Sequence, residues 1–219
     1  ATIDPAKCVN CGACVAGCPF GAISDVSMMT SVIDALLDKK REVIALLAPA
    51  IEGQFGQDTL PQIKNAVRRL GFDERMRRML VMSGGTRVIE AALGADMVAY
   101  HEAEELLENK AAGKKMTSSC CPAFVNMVRK HFPQLLENVS TTVSPMIAVE
   151  RYVRLTHPEA VIVFIGPCIA KKNEAMAHYI DELNYVLTFE ELYAMLCAAG
   201  VPSGIDAAGE EAATRYGKG

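Results

Sequence analysis

Ala160-Val161-Ile162-Val163-Phe164-Ile165-Gly166-Pro167-Cys168 is an apolar run that stops abruptly at Gly-Pro and hands the chain to a cysteine. Six consecutive apolar residues rich in β-branched side chains read as a strand buried on both faces, Ala160–Ile165. A second run of the same kind, Val43–Leu47, ends at Ala48-Pro49-Ala50. Between and after them the period changes to that of helices. Leu60–Leu70 has apolar residues at Ile63, Val67 and Leu70, with Pro61 near its start and Gly71 just past its end. His101–Lys110 and Ala123–Phe132 are also helical. Ser144-Pro145 opens a helix to about Leu155, and Thr188 with Glu191 forms a capping box for a helix over Thr188–Ala199 that Gly200 stops. Strands alternating with helices predict an α/β fold with a largely parallel sheet flanked by helices. Ligands of such sheets gather at the carboxyl ends of the strands, where Ala48-Pro49 and Pro167-Cys168 both fall.

Cysteine is the second signal. Cys8, Cys11, Cys14 and Cys18 form a C-x2-C-x2-C-x3-C run followed by Pro19. That is the bacterial ferredoxin pattern for [4Fe–4S] clusters. Gly12 relieves crowding in the tight turn and Pro19 turns the chain away afterwards. A structural zinc site or a disulfide framework is the competing reading, and the specificity of the run weighs against both. In two-cluster ferredoxins the fourth cysteine of this run serves the other cluster. Either Cys18 closes a single cluster here, or an upstream half supplies its exchange partner. The linker-like Ala1–Lys7 favours the second. We expect a ferredoxin-like segment over 1–27 and a larger domain over 28–219. An Ala at position 1 and the ending Tyr216-Gly217-Lys218-Gly219 lead us to expect a piece trimmed at both ends.

Bulk properties exclude several classes. The 219 residues can hold one good-sized core and a small appendage. A net charge of −4 gives no support for nucleic acid or an anionic membrane as partner. The apolar runs are far too short to span a bilayer. Clustered thiols fit a reducing cytoplasm. His101, His131, His157 and His178 lack metal-ligand spacing. Arg75–Thr86, rich in Met and Arg and ending in a Gly pair, reads as an amphipathic surface helix and turn.

Three further segments carry a resemblance. Ser118-Ser119-Cys120-Cys121-Pro122-Ala123-Phe124 resembles the first signature of [FeFe]-hydrogenases, and Pro167-Cys168-x2-Lys171-Lys172-x-Glu174 resembles the second. Ala48-Pro49-Ala50, with Gly53 and Gly56 behind it, resembles the loop that precedes both, and a ferredoxin-like entry is the usual accessory domain of that family.

The resemblance implies an H-cluster domain, here incomplete. Cys121 and Cys168 would be thiolate ligands of a [4Fe–4S] cubane joined to a diiron unit carrying CO, cyanide and a dithiolate bridge. Cys120 would pass protons to the bridgehead amine. Lys171 would hydrogen-bond an iron cyanide, and Ala48 with Pro49 would line the same pocket. A proton route of Glu, Ser and Glu would fall on Glu102, Ser140 and Glu105, and Glu174 is a further acid of the second signature. Ferredoxin or a similar electron carrier, and maturation proteins, would be the partners. The implied reaction is reversible reduction of protons to hydrogen.

Elementary chemistry agrees with much of this. A lysine beside a metal thiolate offers a charge-assisted donor to an anionic ligand. Glu102 and Glu105 are three apart and share a helix face. Glu, Ser and Cys can each give and take a proton. For the two carboxylates the competing reading is a solvated helix face, and for Cys120 a small buried hydrophobe. Cys197, mid-helix in an apolar pattern, reads as core.

The sequence also departs from the family. The third signature, a Cys-x3-Cys that would complete the cubane, is absent from the main body, where Cys197 is the sole cysteine after Cys168. Phe124 stands where many members have Trp, Gly166 where many have Met, and Met146 where many have Gln. With two of four thiolates, this length is expected to be inactive. The alternative is a non-catalytic hydrogenase-like iron–sulfur assembly or sensory protein, which needs no proton-donating thiol.

Overall fold

The computed structural model describes residues 2–38, 40–56, 58–72, 88–179 and 182–201. Its elements run in the order α1 (Ala13–Ala16), α2 (Met29–Leu37), β1 (Val43–Leu47), α3 (Leu60–Val67), β2 (Val88–Glu90), α4 (Ala92–Ala111), α5 (Pro122–His131), α6 (Pro145–Arg154), β3 (Val161–Gly166), α7 (Ile169–His178), β4 (Tyr185–Thr188) and α8 (Phe189–Ala198). The four strands form one sheet in the order β2-β1-β3-β4, with every pair parallel. This is the expected α/β architecture. Val43 pairs with Val161 and Leu47 with Ile165, so the two runs read as buried strands are the central pair. All five residues of β1 are buried, as both covered faces of a parallel sheet require.

The sheet places two loops side by side. Ala48, just beyond β1, donates its N–H to the carbonyl of Ile165 in β3 at 2.9 Å. Pro49–Ile51 then forms a single 3-10 turn, and Gly166-Pro167 leads to Cys168. Both loops therefore leave the sheet at the same carboxyl edge.

Helix ends follow the sequence signals. Thr188 caps α8 in a capping box with Glu191, and Thr59 does the same for α3 with Gln62. α3 gives way to a π-turn at Arg68–Phe72, where Gly71 takes a φ of 107° that few other residues accept. A buried ion pair, Lys64 to Glu90 at 3.1 Å, ties α3 to the end of β2.

Several expectations need correction. The helix read over His101–Lys110 begins at Ala92, one of the twenty residues of α4. The local sequence pattern announces none of β2, β4, α1, α2 and α7. Cys197 is exposed rather than core, because it lies on the side of α8 that also shows Tyr193 to solvent. Arg75–Thr86 lies outside the described residues.

α4 carries both glutamates of the expected proton route, and its packing on α6 is close. A Cβ on Gly94 would come within 2.1 Å of the Pro145 carbonyl oxygen and 3.0 Å of the Val149 Cβ. In a free helix Gly→Ala stabilises by about 1 kcal/mol. Here the clash is with backbone and reverses that sign. Gly94→Ala is expected to lower stability by about 1–3 kcal/mol, the usual scale of overpacking. Urea unfolding checks it; a stabilised Gly94→Ala protein would refute the contact.

Candidate functional site

The N-terminal cysteines sit on a loop shaped by two left-handed residues, Asn10 (φ 60°) and Gly12 (φ 78°). Backbone N–H groups aim at its sulfurs. Asn10 donates to the Cys8 Sγ at 3.4 Å and Ala22 to the Cys18 Sγ at 3.3 Å. Hydrogen bonding from the Phe20 and Ala22 backbone lowers the Cys18 thiol below its ordinary pKa, against the opposing effect of burial. Donors of this kind favour the thiolate that iron requires. All eight cysteines are free thiols. Among the described residues, no three His, Cys, Asp or Glu side chains converge on one point, and a cubane would take one thiolate at each of four separate irons.

The second centre is built from two helix starts. Cys121 is the N-cap residue of α5 and Cys168 that of α7, each in extended backbone. Neither sulfur caps its own helix, which leaves it available as a ligand. The positive end of each helix dipole lies beside the sulfur and stabilises a thiolate. Cys120 and Cys121 are exposed and Cys168 is half-buried. Cys120 is thus not a buried hydrophobe. Lys171 joins the two starts. Its Nζ donates to the Cys120 carbonyl at 3.3 Å and to Glu174 Oε2 at 2.8 Å. Asn126 of α5 also donates to Asn173 of α7 at 3.3 Å.

The expected proton-route residues come together in two groups. Glu102 accepts from the Ser118 hydroxyl at 2.9 Å and from the Ser119 N–H at 2.9 Å, and Ser119 Oγ lies 3.4 Å from the same carboxylate oxygen. Ser118 Oγ also accepts the Cys120 N–H at 3.3 Å. Glu105 accepts from the Ser140 hydroxyl at 2.5 Å and from both the N–H and hydroxyl of Thr141. Burial pushes the Glu105 carboxyl up, but the bonds from Ser140, Thr141 and Thr142 together outweigh it and hold its pKa below the ordinary value. The groups meet where the Ser119 hydroxyl donates to the Thr142 carbonyl at 2.5 Å and Thr142 N–H donates to Ser140 Oγ at 3.1 Å. These carboxylates are therefore bound into loops rather than left on a solvated face.

A cleft of about 460 Å³ opens beside this chain, lined by Ser119, Ser140, Ser144 and Glu174 among others. Ser118, Ser119, Thr141 and Thr142 were given no role from sequence. The paired serines directly before Cys120 were the available signal; the threonines gave none.

The chain matches the family model "Iron only hydrogenase large subunit, C-terminal domain" over residues 41–214 and "4Fe-4S binding domain" over residues 1–24. It is 31% identical over 193 residues to the NADP-reducing hydrogenase subunit HndD of Solidesulfovibrio fructosivorans, covering 76% of this chain and 30% of that protein. It is 30% identical over 208 residues to iron hydrogenase 1 of Clostridium pasteurianum, covering 84% and 34%. The chain thus spans about a third of the length of these relatives. A solved structure of a variant of apo [FeFe]-hydrogenase HydA1 from Chlamydomonas reinhardtii superposes with a TM-score of 0.68 at 26% identity, covering 85% of this chain and 50% of that one.

Proposed function

Because this chain belongs to the iron-only hydrogenase large-subunit family, we propose that it supplies the proton-relay side of a hydrogen-evolving or hydrogen-consuming active site, together with the first electron-relay cluster. The observation that carries this reading is Glu102 gathering the Ser118 hydroxyl and the Ser119 N–H of the loop that carries Cys120, with Ser118 Oγ accepting the Cys120 backbone N–H and with Glu105 and Ser140 alongside. The family's cofactors are [4Fe–4S] clusters and the H-cluster. When bound, the H-cluster supplies the redox centre at which two protons and two electrons become hydrogen.

The residues divide the work. Cys121 and Cys168 would hold the metal at the two helix starts. Cys120, next to a ligand but not one, would give and take the proton at its Sγ. Ser118 Oγ accepts the Cys120 backbone N–H and its hydroxyl donates to Glu102, which ties the loop that carries Cys120 to α4. Glu105, held below its ordinary pKa, stays ionised and serves as an acceptor in this arrangement. Lys171 would offer its ammonium to an anionic ligand, Ala48 and Pro49 would close the pocket, and Glu174 holds Lys171 in place. Cys8, Cys11, Cys14 and Cys18 would bind the relay cluster, fed by ferredoxin or a similar carrier. Maturation proteins would install the diiron unit. A cytoplasmic setting rests on the eight free thiols alone.

The relay cluster has a direct test. Anaerobic reconstitution and reduction are expected to give a [4Fe–4S] EPR signal that Cys11→Ser removes. Tightly bound zinc without EPR-active iron would overturn the assignment.

The 219-residue polypeptide by itself is expected to evolve hydrogen only at background after attempted maturation with a strong chemical reductant. Its main body offers Cys121 and Cys168 as ligands, whereas a cubane takes four thiolates. Robust turnover would overturn that expectation. A full-length protein that binds iron and never turns over would instead favour the assembly or sensory reading.

A further inference from the structure

α5 touches both iron sites. Its N-cap residue is Cys121, and its last turn carries Arg129, Lys130 and His131. Lys130 Nζ donates to the Pro5 carbonyl at 2.8 Å and to the Cys8 carbonyl at 2.7 Å. The His131 ring lies 2.9 Å, through Nε2, from the Lys7 carbonyl. Basic residues in a last turn are ordinary complements to the helix dipole. That accounts for the charge but not for its target. Both of the lysine's bonds reach across 122 residues or more to the loop that carries the first cluster thiolate, not back to the carbonyls of α5.

Lys7 close by faces Asp4 at 3.8 Å, whereas both bonds of the Lys130 ammonium go to uncharged carbonyls. The loop does not depend on Lys130 alone. Gly12 lies against Ile169 of α7, and Lys172 holds Asp25 and the Val26 carbonyl at the far end of the segment.

We propose that Lys130 is a positioning residue that fastens the Cys8 loop to α5 and raises the reduction potential of the N-terminal cluster. The inference rests on the reading of Cys8, Cys11, Cys14 and Cys18 as cluster ligands. Reduction by a chemical donor such as dithionite adds one electron to the cluster and no proton. The cluster becomes one unit more negative, and an ammonium one carbonyl away from a ligand stabilises that form. Lys130 is exposed, so mobile ions weaken the effect as salt rises.

The experiment is an EPR-monitored redox titration of the reconstituted full chain, with iron counted on the same samples. Lys130→Met is expected to keep its iron and shift the midpoint to a more negative potential. Lys130→Arg should stay near wild type, and the gap between Met and wild type should narrow at high salt. Equal midpoints in wild type and Lys130→Met would overturn the proposal. Should Lys130→Met lose iron, the comparison passes to Lys130→Gln, which keeps an N–H donor without the charge. Equal midpoints in the Gln and Arg forms, or loss of iron from the Arg form, then overturn it. Wild type without a reducible cluster would sink the ligand reading itself, a result distinct from any of these.

Discussion

Cys120→Ala in the full-length protein is expected to leave the iron content unchanged and to cut hydrogen turnover by at least ~10²-fold, the lower scale of general acid–base effects. The sulfur is exposed, lies one residue from the N-cap of α5, and has its backbone N–H bonded to Ser118 Oγ. Alanine keeps that backbone bond and removes the one group that could hand a proton across. Cys121→Ala should differ in kind: it removes a ligand, so the active cluster itself is lost. Glu102→Gln should follow Cys120→Ala in direction, since Glu102 gathers the Ser118 and Ser119 donors. Iron content and hydrogen evolution must be measured on the same preparations. Normal turnover in the iron-replete Cys120→Ala protein would remove the proton relay from the proposal.

Lys172→Met is expected to destabilise the folded chain by about 3–5 kcal/mol, the cost of leaving a buried charge without its partner. Lys172 is 4% exposed. Its ammonium meets Asp25, the Val26 carbonyl at 3.1 Å and Glu191 Oε2 at 2.8 Å. Glu191 is 8% exposed and also closes the capping box of α8. Loss of the lysine therefore strands a buried carboxylate and releases the segment after the ferredoxin-like loop together. Urea unfolding gives the magnitude, and a double-mutant cycle with Glu191→Gln isolates the pair. The double variant should lose less than the sum of the single losses. Simple additivity would show that the contact carries no coupling.

The legible parts of this chain were those written in local pattern. Val43–Leu47 and the run before Cys168 announce buried strands because both faces of a parallel sheet are covered. The boxes at Thr188 and the prolines at Pro61 and Pro145 mark helix starts by mechanism. β2 and β4 are three and four residues long, too short for a period to emerge. α7 was hidden because Lys171-Lys172-Asn173-Glu174 reads as a polar loop, although Lys172 and Glu174 are buried. Nothing local announces a lysine two of whose partners, Asp25 and Val26, lie more than 140 residues upstream. The same limit explains the site. Glu102 and Glu105 share a helix face by their spacing, but the donors that bind them come from the loops at Ser118 and Thr141, which only the tertiary fold brings near. Cys197 misled because an apolar helix pattern does not say which flank meets solvent.

The attachment of the N-terminal loop also sets a timetable. Cys8 and Lys130 are 122 residues apart, and Val26 and Lys172 are 146 apart. At roughly 5–20 residues per second of synthesis, the first lysine leaves the ribosome about 6–24 s after the thiols it fastens, and the second later still. Throughout that interval the four N-terminal thiols have been made while both of their anchoring lysines are still to come. A cluster inserted early meets an open, undocked loop, and one inserted late must enter a loop already pinned to α5. Pulse-labelled chains released at successive lengths would separate these two orders of iron loading.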